Sequence, residues 1–189
     1  MKCGKHIKTI IGSVPLVMTI IFIGCGSHTD VSLKNYEPAF TGDHSGYKGK
    51  SIYLMNFENQ AEDTTIWYYF STDNKFRYGI DTFIHNYFWY GFYDALVKAG
   101  MIVTNVDNPD PNAPAMWLTL LSITDVHFQV KVTLQRKGDP GLVKRYEVKE
   151  SPLLGDKRTP AALEKRAYEM TNRLFETILN DPDFKKIFL

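Results

Sequence analysis

A single-domain α+β fold, a mainly antiparallel sheet packed by two helices, is predicted by three stretches of this 189-residue chain. Val126, Phe128, Val130, Val132 and Leu134 alternate with His127, Gln129, Lys131, Thr133 and Gln135, the period of a strand with one buried and one wet face. Thr159-Pro160 supplies a capping hydroxyl and a proline at the first helical position. Behind it Leu163, Ala167, Met170, Leu174 and Ile178 form one helical stripe, with Glu164, Lys165, Glu169 and Arg173 largely opposite. The third stretch is a helix over residues 83–99, capped by Asp81 or Thr82 and stopped by Gly100, whose Ile84, Phe88, Gly91, Phe92, Ala95 and Leu96 face the core.

The remaining elements follow in order. Residues 26–50 are polar and turn-rich, with Gly42, Gly46 and Gly49, and are expected to form a flexible tether. Strands are expected over 52–57 and 65–70, joined by the polar stretch 56–64. After the first helix, residues 101–106 read as a strand, and Pro109, Pro111 and Pro114 forbid regular structure before the next strand at 117–123. Gly138-Asp139-Pro140-Gly141 supplies turn chemistry, so residues 142–149 return as the hairpin partner of the alternating strand. Asn180-Asp181-Pro182 ends the last helix, and 183–188 add a short turn. The predicted order is β-β-α-β-β-β-α.

The N-terminal stretch is an address rather than a fold element. Lys2, Lys5 and Lys8 precede an apolar run from Ile10 to Ile23 that ends at Ile23-Gly24-Cys25-Gly26, a basic region, an apolar region and small residues at a boundary. The run contains Pro15 and falls short of the ~20 apolar residues a membrane span needs. Gly24-Cys25 resembles the lipobox of bacterial lipoproteins, with Phe22 where that family carries Leu. The resemblance implies a signal peptide over 1–24 and a mature N-terminus at Cys25 bearing palmitate-type acyl chains. It also implies the outer membrane facing the periplasm as location, since Gly26 rather than Asp follows the cysteine. The chain then divides into a signal (1–24), a lipidated tether (25–50) and one α+β domain (51–189).

Removing residues 1–24 takes away Lys2, Lys5 and Lys8, leaving 19 basic against 21 acidic residues and a formal charge of −2. A nucleic-acid partner would call for a basic excess, so none is expected. Cys3 leaves with the signal and Cys25 is spent on lipid, which excludes a disulfide, a thiolate metal site or a cysteine nucleophile. No cofactor or metal is expected.

Few residues carry candidate chemistry. Asp125 and His127 lie two apart and would share the polar side of one strand, half of a catalytic arrangement. A solvated strand face is the plainer reading, because no Gly-x-Ser-x-Gly elbow accompanies them. Asp81 and His85, four apart at a helix start, have metal-ligand spacing but no third ligand. Asp43-His44-Ser45 has the residue types of a triad in a segment expected to be a tether. The more unusual feature is aromatic: thirteen of the twenty-seven residues from Trp67 to Tyr93 are Phe, Tyr or Trp. Phe83, Tyr87, Trp89, Tyr90 and Tyr93 fall away from the core stripe of their helix and are the candidate partner-binding residues.

The lipobox, the stretch Tyr93-Asp94-Ala95-Leu96-Val97-Lys98-Ala99-Gly100-Met101-Ile102-Val103 and the final Asn180-Asp181-Pro182-Asp183-Phe184 resemble small periplasm-facing lipoproteins of the YajG type and the auxiliary lipoproteins of ABC-type envelope transporters. That resemblance implies a helix ending in Ala-Gly that leads into a strand, then antiparallel strands and an amphipathic last helix. It implies a non-catalytic accessory module, held at the membrane through Cys25, that binds an envelope protein in a lipid or component transport system. A small hydrolase using Asp125 and His127, and a carrier with an aromatic pocket for a hydrophobic ligand, are the alternatives.

Overall fold

The alternating stretch forms the centre of the sheet. A computed structural model describes residues 28–104, 110–136, 138 and 141–188. Its strands are β1 (Thr29–Ser32), β2 (Ser51–Leu54), β3 (Glu58–Asn59), β4 (Tyr68–Phe70) and β5 (Phe76–Gly79), followed by helix α1 (Ile84–Lys98). Then come β6 (Ile102–Thr104), β7 (Ala115–Ile123), β8 (His127–Gln135), β9 (Leu142–Lys149), α2 (Pro160–Asn180) and the short α3 (Pro182–Lys186). Strand β8 lies between β7 and β9, antiparallel to both, with Leu134 opposite Met116 on one side and Leu142 on the other. Phe128, Val130, Val132 and Leu134 are wholly buried while their neighbours along the strand stay partly exposed, as the period of two requires.

The larger sheet runs β6-β2-β7-β8-β9, and β3 adds to β7. Strands β2 and β6 are parallel, so the chain must cross over between them, and α1 is the crossover. A smaller sheet, β1-β5-β4, combines a parallel and an antiparallel pair. The protein is a single-domain α+β structure: the two longest ladders, β7–β8 and β8–β9, are antiparallel, the shorter pairs are mostly parallel, and α1 and α2 pack on the sheets.

The start of α2 and the close of α1 follow their sequence signals. Thr159 Oγ1 accepts from Ala162 N at 3.2 Å, and Pro160 begins α2. Helix α1 closes with Gly100 at φ +89° and Met101 N donating to Leu96 O at 3.1 Å, which satisfies two of the last carbonyls together with Gly100 N to Val97 O. The helices meet through aromatic rings. Phe92 packs on Phe175 with centroids 4.9 Å apart, and Phe88 reaches across to Phe128 at 5.5 Å. Gly91 makes room for this contact, because a Cβ there would lie 2.8 Å from Tyr36 Cε1 and 3.2 Å from Phe175 Cε2. The smaller sheet closes onto the same core, with Tyr69 stacked on Tyr78 at 4.5 Å and edge-on to Phe128.

The expected tether is corrected. Residues 28–50 belong to the fold: β1 pairs with β5, and Val31, Leu33, Phe40 and Tyr47 are buried in the common core. The segment then runs along α2. Tyr36 Oη donates to Asn172 Oδ1 at 2.8 Å, Thr41 N donates to Glu176 Oε1 at 3.0 Å, and Tyr47 Oη donates to Leu179 O at 2.6 Å. The domain therefore begins by Thr29 rather than at 51. Its apolar residues are widely spaced and bind elements far along the chain, so no local periodicity announces them.

Candidate functional site

The head of α1 carries the most distinctive surface among the described residues. Neither Asp81 nor Thr82 caps the helix; Phe83 occupies the cap position without a side-chain bond. Ile84 N instead donates to Ile66 O at 2.9 Å, which clamps the loop before β4 to the helix start. The expected strand over 65–70 begins only at Tyr68, because Thr65 Oγ1 accepts from Trp67 N and Tyr68 N and makes a turn. That turn places Ile66 and Trp67 outward beside Phe83. Ile66 is 59%, Trp67 47%, Phe83 42% and Tyr90 55% exposed. Trp67 and Phe83 pack at 4.9 Å, and His85 stacks on Phe83 at 5.5 Å. Burial lowers the His85 pKa from its ordinary value, which favours the neutral ring.

The five aromatic candidates divide. Phe83 and Tyr90 are exposed. Trp89 and Tyr93 are half-buried and stacked on each other at 5.5 Å; Trp89 Nε1 donates to Met55 O at 3.0 Å, which fixes its ring. Tyr87 is corrected: it is 4% exposed and hydrogen-bonded to Thr171 Oγ1 at 2.8 Å, an α1–α2 contact rather than a docking residue. Burial pushes its hydroxyl well above the usual tyrosine range. Ile66 and Trp67 were not among the candidates; the signal for them is Thr65, whose hydroxyl favours a turn over a continuing strand. Beside the patch a cavity of about 480 Å³ is lined by Asn56, Phe57, His85, Asn86, Trp89 and Tyr90.

Asp125 and His127 do not form a pair. Strand β7 ends at Ile123 and β8 starts at His127, so Asp125 sits in the turn, 5% exposed. Its carboxylate accepts from Thr72 N at 2.8 Å, Thr72 Oγ1 at 2.6 Å and Arg158 Nη2 at 3.2 Å. His127 faces other groups, with Nδ1 3.3 Å from Ser122 Oγ and Nε2 3.4 Å from Glu147 Oε2. A serine, an imidazole and a carboxylate in contact look like a nucleophile and its base. Ser122 Oγ, however, donates its only proton to Asp63 Oδ2 at 2.8 Å, so the hydroxyl faces His127 as an acceptor. Asp63 also accepts from Ile123 N at 2.9 Å, and the cluster ties the loop after β3 to the sheet.

The other polar candidates are held apart as well. Asp81 pairs with Lys34 at 2.8 Å while His85 lies on Phe83. Asp43 Oδ1 accepts from Ser45 N at 2.9 Å in a local turn, and the His44 ring packs edge-on to Phe40. Among the described residues no cluster of three or more His, Cys, Asp or Glu is placed to hold a metal ion, and no helix is long and apolar enough to cross a membrane. Cys25 and the expected signal lie outside the described residues.

The fold and the patch define the class: a one-domain α+β protein presenting an exposed aromatic face. No family model matches the chain, and no curated protein matches it. The crystal structure of protein XCC0632 from Xanthomonas campestris, of the DUF330 family, is similar over 80% of this chain and 95% of that one, at 11% identity and a TM-score of 0.49. No residue role and no activity carries across a likeness of that size.

Proposed function

We propose that the protein is a lipid-anchored envelope lipoprotein whose domain works by binding another envelope protein. The observation that carries this reading is the exposed patch of Ile66, Trp67, Phe83 and Tyr90, held on a rigid helix start. Large aromatic side chains combine wide apolar area with few rotatable bonds, and they dominate the buried centres of protein interfaces. The lipobox at Gly24-Cys25 supports a location at the periplasmic side of the outer membrane. Service to an envelope lipid or component transport machine is the role that fits an anchored, non-catalytic binding domain.

The experiment is in-cell crosslinking from photoreactive residues placed at Trp67 and at Tyr90, with Lys131 on the open face of the sheet as control. One and the same envelope protein captured from both patch positions, and not from Lys131, is the expected result. Capture from all three positions alike, or from none, counts against the patch as a docking surface.

A further inference from the structure

We infer that the domain meets the phospholipid surface through one defined end, built from the β4–β5 turn and the loop between β9 and α2, with Leu154 against the bilayer. The inference rests on the acylation of Cys25 proposed above.

Chain length is the first argument. His28 Nδ1 lies 2.6 Å from Asn74 O, its ring is 5.1 Å from that of Phe70, and Thr29 N donates to Lys75 O at 2.9 Å. His28, the first described residue, therefore lies at the β4–β5 turn. Only three residue steps separate Cys25 from His28, a reach of at most ~11 Å. Acyl chains on Cys25 sit in the hydrocarbon, so the β4–β5 turn is held close to the headgroups. With residues 28–50 folded into the domain, no slack is left for the domain to turn over.

The second argument is that this end is one rigid piece. Arg158, from the loop before α2, donates to Asp73 Oδ1 in the β4–β5 turn at 2.9 Å and to Asp125 Oδ2 in the β7–β8 turn at 3.2 Å. Thr72 adds its backbone and hydroxyl donors to Asp125. Three turns from distant parts of the chain are thereby tied together, and the guanidinium charge is matched by two carboxylates.

The third argument is what the tied end exposes. Leu154 precedes the short 3-10 turn Gly155–Lys157 and is 75% exposed, the most exposed of the large apolar residues described. Exposed Lys75 and Lys157 share this end with two exposed carboxylates, Asp156 and Asp73, of which Asp73 is engaged by Arg158. An apolar tip between lysines suits the boundary between acyl chains and anionic headgroups. The opposite end of the sheet is formed by Gln135 and Leu142; across the nine residues of β8 it lies ~30 Å away. Trp67, three residues before the end of β4, stands on the order of 10 Å along that strand from the turn. The aromatic patch then opens sideways above the headgroups, where a protein partner has access.

The test uses the full chain with its own signal, purified from membranes and reconstituted into phosphatidylethanolamine–phosphatidylglycerol vesicles carrying a nitroxide-labelled lipid. Leu154→Cys and Val143→Cys each place a fluorophore at an exposed side chain, one at the anchored end and one toward the far end of β9. Acylated Cys25 is not available to the label. Several-fold stronger quenching at position 154 than at 143 is expected, and Lys75→Cys should follow position 154. Equal quenching, or stronger quenching at 143, overturns the orientation while an acylated Cys25 in the intact mass leaves the anchoring reading standing. An intact mass without acyl chains on Cys25 overturns both.

Discussion

Replacing Leu33 with alanine separates a folded N-terminal segment from a tether. Leu33 is 1% exposed in the core, and its backbone N donates to Gly79 O at 2.9 Å, so the side chain sits where β1 leaves the smaller sheet. Truncating a buried leucine to alanine costs ~2–5 kcal/mol, the lost transfer energy plus the cavity left behind. At a urea slope of ~2 kcal/mol per molar, a loss of ~3 kcal/mol lowers the unfolding midpoint by ~1–2 M. The assay is urea unfolding followed by far-ultraviolet circular dichroism, with Glu37→Ala as control, because Glu37 is exposed in the same segment. A single transition shifted by that amount for Leu33→Ala, and unmoved for Glu37→Ala, is expected. If both variants unfold at the parent midpoint, residues 28–50 are a tether and the short reach from Cys25 to the fold disappears with them.

Arg158→Met strips the buried Asp125 of its cation and is expected to cost ~2–3 kcal/mol, read from urea unfolding at pH 7. Arg158 also holds the Asp73 carboxyl far below its usual range, with Ser71 and the Lys75 backbone helping. A depressed carboxylate stabilises the fold fully above pH ~4 and loses that contribution as the pH falls below it. The parent should therefore weaken more steeply in acid than Arg158→Met, and parallel acid profiles would contradict the ion pair. Gly91→Ala places a methyl group 2.8 Å from the Tyr36 ring, which Asn172 holds by its hydroxyl. Overpacking of ~1–3 kcal/mol outweighs the ~1 kcal/mol helix gain, so a lower thermal midpoint is expected; a higher one would show that Tyr36 moves aside. His127→Ala should change stability by less than ~1 kcal/mol, since its two contacts are long at 3.3 and 3.4 Å, and should leave crosslinking from Trp67 intact. Loss of capture in that variant, with folding preserved, would move the function to the Ser122–His127–Glu147 cluster.

The legible elements are those whose burial pattern is repeated many times. β8 offers nine alternating residues and α2 offers a cap, a proline and a long apolar stripe. The smaller sheet offers no such run: β1, β4 and β5 have four, three and four residues, and β1 finds its partner 47 positions away. Asp125 shows why a local pattern misplaces a site residue. Period-two spacing carried it onto the strand of His127, whereas its partners Thr72 and Arg158 lie 53 and 33 residues distant and hold it in the turn. The aromatic surplus between Trp67 and Tyr93 was readable, but its division into surface and core was not. Helical spacing counts residues around one axis, while Tyr87 is buried by α2 and by Tyr36 from the segment read as a tether.

The central claim, a binding domain held close to a membrane by its own first residue, is tested most directly by intact-mass and fragmentation analysis of the protein extracted from the envelope of its host. An N-terminus at Cys25 carrying acyl chains is the predicted result. A mature chain that begins at another residue, or a Cys25 without lipid, would contradict it.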